Sequence, residues 1–122
     1  MGRATLDHPY SVVRIATAGV SAYVSGTLPT DGSGNVVHER DGAIAQMFAN
    51  LATRLSAEGF TLADVVKTTV YVTDISWRDA LNQAYLDTFP EPLPTRTMVE
   101  VRALPYGAPI EIEAIVHRPD PA

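Results

Sequence analysis

Val65-Val66-Lys67-Thr68-Thr69-Val70-Tyr71-Val72-Thr73 is built almost wholly from β-branched and aromatic residues, with a single charge inside the run. Such side chains lose rotamer freedom in a helix and pack well on a pleated surface. The stretch therefore predicts a central strand, and what flanks it decides the fold class.

Upstream, Asp41 is placed to cap a helix in which Ile44, Phe48, Leu51 and Leu55 recur at spacings of four, three and four. That spacing puts them on one face, and Gly59 supplies the stop. Thr61-Leu62-Ala63-Asp64 has the pattern of a short capped turn leading into the strand. Downstream, Ser76 and Asp79 open a second helix with the stripe Trp77, Leu81, Ala84, Tyr85 and Phe89, which Pro90 ends. After Pro90, Pro92 and Pro94, the residues Thr97, Val99 and Val101 alternate with Met98, Glu100 and Arg102 in a further strand. The last strand sets Ile110, Ile112, Ala114 and Val116 against Glu111, Glu113, Ile115 and His117.

Before the first helix, Val12–Thr17 and Val20–Ser25 flank Ala18-Gly19 and predict a hairpin. A Gly-, Pro- and Asp-punctuated loop follows from Gly26 to Asn35, with Val36-Val37 as a short third strand. The expected order is β-β-β-α-β-α-β-β in a single domain over residues 1–122, an α+β fold with both helices on one face of a mixed sheet. The valine and isoleucine sets of the late strands suit the helix-covered face. The other face retains Tyr71, Met98 and Ile115, more apolar surface than a solvated face needs, so copies of the chain are expected to pack there.

Composition narrows the function. Nine basic against fourteen acidic residues give a net charge of −5, and the basic ones are dispersed, which disfavours nucleic acid as the main partner. The chain has no cysteine, so disulfides, thiolate catalysis and Cys-ligated metals are excluded. His8, His38 and His117 lack the spacing of a metal site, and Gly32-Ser33-Gly34 reads as a turn rather than a dinucleotide loop, so no metal or cofactor is expected. Charges and a proline interrupt the first twenty residues, and no apolar run approaches a membrane span; a cytoplasmic location is expected.

Four segments together carry a family resemblance: Tyr23-Val24-Ser25-Gly26-Thr27-Leu28-Pro29, Asp64 to Val72, Pro94-Thr95-Arg96-Thr97-Met98-Val99-Glu100-Val101, and Ile110-Glu111-Ile112-Glu113-Ala114. In this order and spacing the chain resembles the RidA/YjgF family from about Tyr10 to His117. The resemblance implies a chorismate-mutase-like fold, a homotrimer with active clefts between neighbouring subunits, and hydrolysis of C=N bonds in small 2-imino acids, such as 2-iminopropanoate and 2-iminobutanoate. It also implies that Arg96 holds the substrate carboxylate, that Glu111 orients the attacking water, and that Tyr10, Ser25, Gly26, Asn82 and Met98 belong to the pocket or its support. Met98 stands where cysteine is frequent in the family, which bears on the substrate side chain.

The residues suit these roles chemically, and each has a plainer alternative. Guanidinium is a permanently charged fork that matches a carboxylate, yet read alone Arg96 is first a structural partner for Glu100 or Glu113. Glu111 has the parity of the uncovered face, as any solvated strand carboxylate would. Tyr10 either closes a pocket with its hydroxyl or plugs the core edge. Ser25-Gly26 ends a strand, and Asn82 braces a helix to a loop. Other readings that stay open are a specialised deaminase of aminoacrylate or aminomuconate type and a ligand-binding or chaperone-like module without turnover. Ribonuclease activity is disfavoured by the acidic balance.

Overall fold

The computed structural model describes residues 9–121. The elements run β1 (Gly19–Thr27), α1 (Arg40–Ala57), β2 (Val65–Val72), α2 (Arg78–Thr88), β3 (Thr95–Glu100) and β4 (Ile110–Pro119), with single 3-10 turns at Leu62–Asp64, Ile75–Trp77 and Pro105–Gly107. The four strands form one mixed sheet in the order β1-β4-β2-β3. β4 pairs antiparallel with both neighbours, while β2 and β3 are parallel, a pairing that needs the crossover α2 provides. Two helices on a mixed α+β sheet is the expected class.

The core lies between the helices and one sheet face. Ile44, Met47, Phe48, Leu51 and Leu55 of α1 and Leu81 and Tyr85 of α2 are buried against Val70 and Val72 of β2 and Ile110, Ile112, Ala114 and Val116 of β4. Phe48, Tyr85 and Phe89 interlock there, with ring centroids 4.6 to 6.0 Å apart. α1 ends as its sequence predicts. Gly59 is left-handed at φ 80°, its N–H bonds to Ser56 O, and the Phe60 N–H bonds to Leu55 O, satisfying two terminal carbonyls.

Four local expectations are corrected. The helix cap is Glu39, whose carboxylate accepts from the N–H groups of Asp41 and Gly42 at 2.8 Å, while Asp41 lies inside the first turn and pairs with Arg40. Residues Val12–Thr17 form no strand and no hairpin with β1. Ser11 instead bridges Thr95 at the β3 edge, and Arg14 donates to Pro92 O, one of several carbonyls there that the ladder does not use. Val36 makes only an isolated bridge to Thr30 around the Asp31 turn. The observed order among described residues is thus β-α-β-α-β-β.

The fourth correction concerns β3. Arg96 pairs with Thr68 and Met98 with Val70, so both lie on the helix-covered side, and Met98 packs against the core. Thr97 and Val99 face the open side, where Val99 is 39% exposed. The valine parity expected for this strand is therefore inverted. Tyr71 and Ile115 do lie on the open face, joined by Tyr23, which is 77% exposed.

Candidate functional site

Arg96 is set by the parallel register that places it opposite Thr68. Its guanidinium carbon lies 5.2 Å from the centre of the Tyr10 ring and 5.0 Å from that of Tyr85, so two aromatic faces contact the cation. Its Nη1 is buried and has no hydrogen-bond partner among the described residues. Burial pushes its pKa down, the Tyr85 and Tyr10 rings oppose this and Arg78 adds to it, but a guanidinium stays protonated throughout. The expected structural partners are engaged elsewhere. Glu100 accepts from the Ile75 N–H at 2.9 Å and Glu113 accepts from the Tyr71 hydroxyl. Ion pairs among the described residues are Arg40–Asp41 and Arg118–Asp64. Neither Glu100 nor Glu113 pairs with Arg96, and a half-buried guanidinium whose buried Nη1 has no partner among the described residues needs explanation.

Asn82 lies one turn before Tyr85 on α2, half-buried, with its Oδ1 buried and without a hydrogen-bond partner among the described residues. Tyr10, Asn82, Met98 and Arg96 thus occupy the helix side of the sheet near its β3 edge. Glu111 lies elsewhere. It projects between buried Ile110 and Ile112 onto the open face, opposite Tyr71, and stands against the α-carbon of Gly26. A Cβ built on Gly26 would lie 2.2 Å from Glu111 Oε2. Burial raises the Glu111 pKa above the usual carboxylate range, the charge of Glu113 adds to this and Arg54 opposes it.

Ser25 and Gly26 fall where the β1–β4 register shifts between Val24 and Thr27. Arg54 of α1 holds this irregularity, donating to Ser25 O, Gly26 O and Thr27 Oγ1 at 3.4, 3.2 and 2.8 Å. Sequence reading missed Arg54 as a support, along with Thr68 and Tyr85. Thr68 left a usable signal: a hydroxyl at the helix-facing parity of a central strand must find a partner, and it finds the Tyr85 hydroxyl.

The predicted residues thus form two groups. Within one chain Arg96 and Glu111 are separated by two strand steps and lie on opposite sheet faces. A hollow of about 560 Å³ between the outer sides of α1 and α2 contains none of them.

Fold and site define a small α+β protein with an arginine of unpartnered Nη1 among the described residues on one side of its sheet and a glycine-seated carboxylate on the other. The family model described as Endoribonuclease L-PSP matches residues 3–118. The chain belongs to this family, the RidA/YjgF family. It is 42% identical over 98 residues to the 2-iminobutanoate/2-iminopropanoate deaminase of Rattus norvegicus, covering 76% of this chain and 69% of that protein. It is 36% identical to the 3-aminoacrylate deaminase RutC of Acinetobacter baylyi, covering 78% and 77%. Among solved structures, RidA from an Antarctic Psychrobacter superposes with a TM-score of 0.79 at 33% identity, covering 91% of this chain and 94% of that one.

Proposed function

We propose that this protein is an enamine/imine deaminase hydrolysing small 2-imino acids to 2-keto acids and ammonia. On this reading it works in the cytoplasm as a homotrimer with sites between neighbouring chains. The observation that carries the reading is Arg96, a half-buried cation between two rings whose buried Nη1 has no hydrogen-bond partner and which makes no ion pair among the described residues. A 2-imino acid supplies the missing carboxylate. The deaminases named among the relatives support C=N hydrolysis as the chemical class.

The reaction asks little more of the protein. Water adds to C2 of the C=N group, the nitrogen is protonated, and the carbinolamine collapses to C=O with loss of ammonia. Fixing the carboxylate orients C2, and a carboxylate of raised basicity at Glu111 accepts the proton of the attacking water. Because Arg96 and Glu111 lie on opposite faces, one copy's open face must meet the β3 edge of the next for both to reach one substrate.

That same separation favours a second reading, a carboxylate-binding module without turnover. RNA cleavage, suggested by the description of the family model, is disfavoured by the −5 charge and the scattered basic residues. A pyridoxal-phosphate dehydratase fed threonine, coupled to the protein with semicarbazide trapping, tests the proposal. The wild type should lower the trapped imine and Arg96→Ala should not. Equal trapping in both, with keto-acid binding intact in the wild type, would leave the binding-module reading.

A further inference from the structure

Tyr85 is held on three sides. It is fully buried, its ring meets Phe48 at 6.0 Å and Phe89 at 4.6 Å, and its hydroxyl is hydrogen-bonded to Thr68 Oγ1. Thr68 is also fully buried, so water offers neither hydroxyl an alternative partner. The same ring lies 5.0 Å from the Arg96 guanidinium carbon. Arg96 is joined to this arrangement a second time, because Thr68 is its partner in the β2–β3 ladder.

The two rings beside Arg96 are not equivalent. Tyr10 is half-buried and sits on the segment tied down by Ser11 and Arg14, outside the ladder pairing of the named strands. Tyr85 belongs to the core, and its position follows from packing that exists whether or not a ligand is bound. A planar cation lying on an aromatic face is oriented by that face, and its N–H groups are directed by the plane it adopts.

We infer that Tyr85, clamped by Thr68, is the positioning residue of the site: it seats the Arg96 guanidinium so that Nη1 stays clear of acceptors among the described residues and open to a substrate carboxylate. This rests on the carboxylate-binding reading of Arg96. Tyr85 acts through Arg96 and touches no reacting atom. It gives α2 a part in the site beyond packing, and it explains a threonine in a run of buried valines.

The test titrates the intact protein with 2-oxobutanoate, a keto acid that does not react, and measures KM and kcat in the coupled imine assay. Tyr85→Leu removes the ring and should weaken 2-oxobutanoate binding by about 10- to 30-fold, with Tyr85→Phe recovering most of the loss. Tyr85→Phe and Thr68→Val each break the clamp while keeping volume. Each should raise KM about three- to fivefold with little change in kcat, and the double variant should be no worse than either single. Binding within twofold of wild type in Tyr85→Leu, with binding lost in Arg96→Ala, would overturn the positioning role alone. Undiminished binding in Arg96→Ala would instead overturn the reading beneath it. Should Tyr85→Leu fail to fold, wild-type KM in both clamp variants overturns the inference.

Discussion

At the scale of single residues, Gly26 and Glu111 form a unit defined by close approach. The carboxylate occupies the space a side chain at position 26 would need, yet it is the end of a flexible arm and can move aside. Gly26→Ala should therefore leave thermal stability nearly unchanged while displacing the proposed base. A shift of about 1 Å in a reacting group costs up to about 100-fold in kcat, which the coupled assay would read. The raised pKa of Glu111 has two further consequences. Because burial raises its pKa, the acid limb of kcat/KM should lie at higher pH than a solvent-exposed glutamate would give, and it should disappear in Glu111→Gln. For stability, a carboxyl whose folded pKa exceeds its unfolded value destabilises the fold once pH rises through that window. Melting curves should show Glu111→Gln more stable than wild type at pH 7 and equal to it near pH 3. Equal melting temperatures at both would contradict the burial argument.

At the scale of elements, the two helices and the central strand were legible because their signals are local and mutually consistent. The stripe Ile44, Phe48, Leu51, Leu55 is buried as its spacing demands, and Gly59 takes the left-handed conformation that ends α1. Caps were less legible, since the helix starts two residues earlier than the Asp41 signal suggests and Glu39 accepts from the N–H groups of Asp41 and Gly42. Glu39→Ala should cost about 1 kcal/mol in chemical denaturation, and Asp41→Ala about half of that or less. A larger loss at Asp41 would return the cap to it. β3 was misread because alternation carries little information at a sheet edge. Its face is set by pairing with β2, which puts Arg96 opposite Thr68 whatever the neighbouring valines prefer. Val12–Thr17 was misread because β-branched composition does not specify a partner, and side-chain bonds to unpaired carbonyls hold that segment elsewhere. For the site, motif spacing named Arg96 and Glu111, but their placement on opposite faces follows from strand order and parity, which a motif does not encode.

At the scale of the whole molecule, the separation of these two residues turns assembly into a question of function. The open face exposes Tyr23 and Val99 beside Glu111, Tyr71 and Ile115, and β3 leaves one edge of the sheet without a ladder partner among the described strands. A cyclic trimer, as the proposed function requires, would join one chain's open face to the next chain's edge by the same contact three times. Two inactive variants can then complement each other. In a trimer reassembled from equal amounts of Arg96→Ala and Glu111→Gln, each site draws its arginine and its glutamate from different chains. With random mixing about one quarter of the sites receive both intact residues, and activity should return to about that fraction of wild type. Neither variant alone, nor the two mixed without subunit exchange, should show it. Persistent inactivity after demonstrated exchange would mean that Arg96 and Glu111 do not serve one substrate across an interface. The substrate held by Arg96 would then have to take its base from a group other than a neighbouring chain's Glu111.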